Sequence, residues 1–127
     1  MELNSVKQRI DESLNYIEKN LKNKIRLKDL AKNAYYSDFH FHRLFTRTTG
    51  MKVREYIQKR RLAEGARELK DTRSTITDIA FSYQFNSLEA FSRAFKKAYG
   101  ISPGEYRKGM RLNPVRTNTM GGAKMCA

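Results

Sequence analysis

Two arginines, Arg43 and Arg93, stand fifty positions apart, each in a run that includes further side chains able to donate hydrogen bonds or charge to a polyanion. Phe39, His42 and Thr46 surround the first, and Glu89, Ser92 and Lys96 the second. A guanidinium holds five donors in a fixed fork, which suits the paired acceptors of a phosphate or of a guanine edge. A lone outward arginine is ordinarily a solvated surface residue. Here it recurs in one local setting amid a formal charge of +13, which favours contact with a polyanion. Other chemistry finds little to use. His40-Phe41-His42 invites a metal, but residues two apart on a helix point about 200° apart, whereas ligand pairs need i, i+3 or i, i+4 spacing. Neither a G-x-x-x-x-G-K-[ST] nor a G-x-G-x-x-G loop occurs, and no Ser/His/Asp set stands in a catalytic context. The single cysteine, Cys126, lacks the basic or helix-terminal setting that lowers a thiol pKa. No catalytic residue, no cofactor and no metal is expected, so the chain is not read as an enzyme.

The elements that position the arginines are themselves duplicated. Slid back fifty residues, Ser87, Phe91, Arg93, Phe95, Gly100, Glu105 and Tyr106 fall on Ser37, Phe41, Arg43, Phe45, Gly50, Glu55 and Tyr56. Upstream the shift is forty-nine, matching Ile76, Asp78, Ile79 and Ala80 to Leu27, Asp29, Leu30 and Ala31. A one-residue slip between two matching blocks is what a loop of variable length produces, so one small helical unit occurs twice.

In the second copy, Thr75 or Ser74 caps a short helix carrying Ile76, Ile79 and Ala80, with Asp78 placed as in a capping box. After a turn through Ser82–Phe85, a longer helix is expected to start with Asn86 as N-cap and Glu89 as its third residue, and to stop at Gly100. Phe91 and Phe95 share its apolar face with Ala94 and Ala98; Glu89, Ser92, Arg93 and Lys96 share the other. The first copy reads alike: Leu27, Leu30 and Ala31 on the short helix, a turn at Ala34–Tyr36, Ser37 as cap, Phe41, Leu44 and Phe45 inward, and Gly50 at the end. A short helix, a tight turn and a longer helix with one apolar and one polar-basic face is a helix-turn-helix arrangement.

The remaining elements frame these modules. Val6, Ile10, Leu14, Ile17 and Leu21 form one stripe of a first helix opened by Asn4 or Ser5 and ended over Asn20–Lys24. Lys52–Lys70 reads as one long helix with Val53, Tyr56, Ile57, Leu62, Ala66 and Leu69 apolar. Gly65 within it implies close packing against a neighbour, and the basic cluster Lys59-Arg60-Arg61 fits either a solvated face or phosphate contact. Ser102-Pro103-Gly104-Glu105 is a further helix start that carries Tyr106 and Arg107. The fold expected is all-α: two helix-turn-helix subdomains joined by a long central helix, about seven helices. Residues 1–50 form the first subdomain, 51–73 the linker helix and connection, and 74–108 the second subdomain; 109–127 read as a disordered tail or linker.

The second copy, from Asp78-Ile79-Ala80 through Tyr83-Gln84-Phe85, Phe91-Ser92-Arg93-Ala94-Phe95-Lys96-Lys97 and Gly100-Ile101-Ser102-Pro103 to Tyr106-Arg107, resembles the signature of the AraC/XylS family of bacterial transcription regulators. The resemblance runs from about Val6 to Arg107. One departure is Gln84, where the family usually has glycine, which would admit a positive φ. The resemblance implies sequence-specific binding of double-stranded DNA by two recognition helices, Ser37–Thr49 and Ser87–Tyr99, in successive major-groove segments. Base contacts are then expected from Phe39, His42, Arg43, Thr46, Leu88, Glu89, Ser92 and Arg93, and phosphate contacts from Ser37, Arg47, Lys96 and Lys97. RNA polymerase is the implied protein partner, with activation the expected outcome, in a bacterial cytoplasm on the nucleoid. A small-molecule effector enters only if a sensing domain is missing from this chain.

Composition agrees with that direction. The pI is near 10.1. Residues 1–30 carry seven Lys/Arg against five Asp/Glu, residues 37–73 ten against five, and residues 86–112 six against two, so the positive excess follows the modules. No apolar run approaches the roughly 20 residues needed to span a bilayer, and the opening Met-Glu-Leu-Asn-Ser has no signal-peptide character. Two other readings remain: a basic helical module that docks an acidic protein, and a non-specific nucleic-acid binder.

Overall fold

The computed structural model describes residues 2–109; of the tail expected over residues 109–127, all but Gly109 lies outside them, Cys126 included. The described residues form seven helices and no strand: α1 (Glu2–Lys19), α2 (Leu27–Asn33), α3 (Asp38–Thr49), α4 (Val53–Asp71), α5 (Ile76–Ser82), α6 (Leu88–Tyr99) and α7 (Pro103–Arg107). The chain divides into two compact units, one reaching to Gln58 and one starting at Lys59, so the division falls inside α4.

In the first unit α3 packs on α1 and α2. Ile10, Ile17 and Leu21 of the expected α1 stripe are buried, while Val6 and Leu14 are half-buried. The helix begins at Glu2, earlier than the expected Asn4 or Ser5. Ser13 also sits inside, its hydroxyl donating to the Arg9 carbonyl at 3.0 Å, which makes a polar residue tolerable there. Leu30, Ala31, Phe41, Phe45, Val53 and Ile57 complete the core.

The second unit repeats this with α5, α6 and α7. Its core is Leu62, Ala66, Leu69, Ile79, Ala80, Tyr83, Phe91, Phe95 and Tyr99. Gly65 packs closely: a Cβ there would meet Phe91 Cε1 at 3.3 Å and Ile79 Cγ2 at 3.6 Å. Arg60, expected among solvated or phosphate-facing cations, is instead 7 % exposed and paired with Glu64 at 2.9 Å. It lies on the inward side of α4 because Leu62, Ala66 and Leu69 set the helix's rotation, and Glu64, one turn on, supplies the counter-charge.

The repeat is visible in ring geometry. Phe41 and Phe45 lie 5.8 Å apart at 43°, and Phe91 and Phe95 5.7 Å apart at 46°. Tyr56 meets Phe45 edge-on at 5.6 Å, as Tyr106 meets Phe95 at 5.4 Å. The recurring glutamate serves one purpose in both copies: Glu55 accepts from the Lys52 N–H at 3.1 Å and Glu105 from the Ser102 N–H at 2.9 Å, closing the start of α4 and of α7. At α7 the return bond from the Glu105 N–H to Ser102 Oγ completes a capping box, with Pro103 in the first turn.

Candidate nucleic-acid interface

The turns that aim α3 and α6 are built alike. After α2 the Tyr35 N–H donates to the Lys32 carbonyl and the Tyr36 N–H to that of Ala31. After α5 the Gln84 N–H donates to Phe81 and the Phe85 N–H to Ala80. This pair of bonds is a Schellman motif, which needs a left-handed residue at its corner. Tyr35 with φ 65° and Gln84 with φ 70° supply it, without a glycine in either copy.

Ser37 Oγ then accepts from the His40 N–H at 3.1 Å and Ser87 Oγ from the Ala90 N–H at 3.0 Å, each capping its longer helix. The cap of α6 is therefore Ser87 and not Asn86. Ser87 takes the extended conformation that brings its hydroxyl onto the third helical N–H, and this moves Glu89 from third to second position. Gly50 and Gly100 end the two helices at φ 80° and 84°.

On α3, Phe39 is 72 % exposed and Arg43 lies over its ring at 5.8 Å. Arg43, Arg47 and His40 share a shallow hollow with Leu44. His42 and Thr46 stand on the same outer stripe but are half-buried. His42 Nδ1 and Thr46 Oγ1 are closed off from solvent and have no hydrogen-bond partner, so outward contact is left to other atoms of those side chains. His40 points away from His42 and meets the Tyr36 ring edge-on at 4.9 Å. Among the described residues no group of three or more His, Cys, Asp or Glu side chains could hold a metal ion.

On α6, Glu89, Arg93, Lys96 and Lys97 are exposed, while Leu88 and Ser92 are half-buried. The acidic neighbour of Lys96 is Glu105, whose carboxyl is held below the usual glutamate range by its bonds at Ser102 first and by the charges of Lys96 and Lys108 after that. Arg93 and Lys97 make no ion pair or hydrogen bond among the described residues, and neither do Arg47 and Glu89.

Sequence reasoning had not singled out Tyr35. It is 82 % exposed at the corner before α3, with Arg9 over its ring at 5.5 Å and over Tyr36 at 5.2 Å. The signal was its alignment with Gln84, the left-handed corner of the other copy.

Comparisons with known proteins place these modules. A profile described as a helix-turn-helix domain matches residues 30–109. The chain is 44 % identical over 98 residues to the HTH-type transcriptional activator AarP of Providencia stuartii, a match covering 77 % of this chain and 73 % of that protein. It is 45 % identical over 102 residues to the uncharacterized HTH-type transcriptional regulator YbfP of Bacillus subtilis, covering 80 % of this chain but only 35 % of YbfP. In structure it is similar to the DNA-binding domain of AdpA solved with a target DNA, with a TM-score of 0.74 at 25 % identity over 78 % of this chain and 89 % of that one. The chain belongs to the AraC/XylS family of helix-turn-helix transcription regulators.

Proposed function

We propose that this chain binds double-stranded DNA sequence-specifically, with α3 and α6 reading successive major-groove segments of one site. The observation that carries this reading is the duplicated, serine-capped helix with an exposed, acid-free arginine at its sixth position, Arg43 in one copy and Arg93 in the other. The N-terminal residues of such helices are the ones that reach base edges. On this reading Phe39, Arg43, Leu88, Glu89, Ser92 and Arg93 face bases, with His42 and Thr46 joining through their outward atoms. Ser37, Arg47, Lys96 and Lys97 meet phosphate. AarP is named an activator, and activation through contact with RNA polymerase is the corresponding proposal here, in a bacterial cytoplasm on the nucleoid. A small-molecule effector belongs to it only through a sensing domain outside this sequence. No described helix is long and apolar enough to cross a membrane.

The test is selection from a random duplex library, followed by salt titration of the selected and a scrambled duplex. A sequence-specific binder shows a steep salt slope and keeps a large ratio between the two duplexes. Equal affinity for both would leave non-specific binding, and no salt slope at all would leave a protein-docking module.

A further inference from the structure

We infer that Glu89 is the specificity-determining residue of α6, accepting from the exocyclic amino group of a cytosine next to the guanine read by Arg93. This rests on the proposed reading of α6 as a base-reading helix and goes beyond it by naming the base. Three observations carry it. First, the cap of α6 is the Ser87–Ala90 bond, so Glu89 occupies the second helical position and its carboxylate is not consumed in a capping box. Second, Glu89 is exposed and makes no ion pair with Arg93, one turn on, or with any other described residue. Third, it is the one acidic side chain on an outer stripe that otherwise carries Ser92, Arg93 and Lys96.

A carboxylate on a face that meets phosphates is repelled unless something there donates to it. An ionised carboxylate only accepts hydrogen bonds. In the major groove the donors are the amino groups of cytosine and adenine, and adenine sets its N7 acceptor beside its amino group. That acceptor opposes a carboxylate's second oxygen, whereas cytosine presents no acceptor there. The equivalent position of α3 is Phe39, an apolar ring beneath Arg43, so the two halves of the site differ in the chemistry demanded of the base there.

The experiment measures binding of the wild type, Glu89→Ala, Glu89→Gln and Arg93→Ala to the selected duplex and to every single-base change in it. Melting of each variant is measured alongside, to show that the exposed substitutions leave the fold in place. The wild type is expected to lose affinity about tenfold or more when one particular cytosine is replaced. Glu89→Ala should lose the bond to that cytosine, so that it binds the selected duplex more weakly than the wild type and becomes indifferent at that position alone. Glu89→Gln should move its preference there to adenine, which an amide can meet with one donor and one acceptor. The inference is overturned if Glu89→Ala scales every duplex by one factor, or if no position loses its preference. Should Arg93→Ala still flatten its own position in that case, base reading by α6 stands and only the role of Glu89 falls. A wild type that does not distinguish selected from scrambled DNA overturns both.

Discussion

Tyr35 and Gln84, forty-nine positions apart, are the only described non-glycine residues with positive φ, and each is the corner of its module's Schellman turn. An L-residue in that conformation costs roughly 1–2 kcal/mol through the clash of its Cβ with the backbone. The turn keeps its geometry regardless, because the two bonds closing α5 and the ring contact of Phe85 with Phe91 at 5.2 Å hold the chain on both sides. Gln84→Gly should therefore raise stability by up to about 1 kcal/mol. Gln84→Val should lower it by at least as much, since a branched Cβ is least at home there. Urea unfolding of the two variants checks the sign; a Val variant as stable as the Gly variant would mean that the corner is not left-handed.

The buried aromatic pairs give the next expectation. Phe45→Ala and Phe95→Ala each empty a fully buried site and should cost about 3–5 kcal/mol. Gly65 tests the same core from the other side. Gly65→Ala gains up to about 1 kcal/mol of helix propensity, but its methyl presses on the fully buried Phe91 ring, 3.3 Å away, which must shift slightly to admit it. The two effects should nearly cancel, whereas Gly65→Leu should cost about 1–3 kcal/mol or more by overpacking. Thermal melts of these variants decide whether α4, α5 and α6 meet as described.

Stability should also fall at both ends of the pH scale. Burial raises the Glu64 carboxyl, but hydrogen bonds and charge from Arg67 and Arg60 outweigh it, and Glu105 is lowered by its bonds at Ser102. A carboxyl whose folded pKa is depressed contributes stability present above its ordinary value of 4.5 and lost as pH falls through the lower folded value. Glu105→Gln keeps an acceptor at the cap without the charge, so its urea midpoint should depend less on pH than the wild type's between about pH 6 and 3. Tyr83 works in the opposite sense. Burial first, and then its bond to Glu68 at 2.5 Å, pushes the phenol up from 10.0. Its contribution is whole below that value and drains away as pH rises past it. Tyr83→Phe should be less stable than the wild type at neutral pH and lose less on going above about pH 10.

How much of this was legible in the sequence follows from what each residue depends on. The helices and their inward faces were readable because Phe41, Phe45, Phe91 and Phe95 recur at helical spacing and are all fully buried. The glycine stops and the Ser102–Glu105 box depend only on near neighbours in sequence, and they too were readable. The cap of α6 was misplaced by one residue because Asn86 and Ser87 are both good caps, and only the extended backbone of Ser87 selects between them. Arg60 was misread because its burial depends on the rotation of α4 against its neighbours and not on its own cluster of charge. The bond from Arg107 Nε to the Leu69 carbonyl at 2.8 Å, which closes the end of α4, spans 38 residues and has no local signature. On the candidate interface, the exposure of Phe39 and Arg43 followed from periodicity, whereas the closed hydroxyl of Thr46 did not.

One monomer should cover an asymmetric site, because both modules lie in one chain and their outer stripes differ: Phe39, His42, Arg43 and Thr46 against Glu89, Ser92, Arg93 and Lys96. Half-sites one helical turn apart, about 10 base pairs, should then have unlike sequences. Titration of protein into a selected duplex, read by analytical ultracentrifugation, should reach one chain per site. A palindrome bound only by two chains would contradict this.

The last expectation separates base reading from phosphate anchoring. Arg43 and Arg93 hold the sixth position of their helices, both exposed and neither paired with an acid. An arginine that meets guanine O6 and N7 with two bonds discriminates by about 1–3 kcal/mol. Arg43→Ala should therefore flatten the preference at one position of its half-site and leave the ranking of the other half unchanged, and Arg93→Ala should do the same for its own half. Lys97 is exposed, unpaired and one position off the outer stripe of α6. A phosphate contact there carries no sequence information, so Lys97→Ala should weaken all duplexes about equally and flatten the salt slope by roughly one. Lys96, also exposed on α6, should behave similarly. The measurement is a binding screen of each variant against all single-base changes, repeated at two salt concentrations. If Arg93→Ala lowers every duplex by one factor and reduces the salt slope, that arginine is a phosphate clamp and base reading by α6 passes to Glu89 and Ser92.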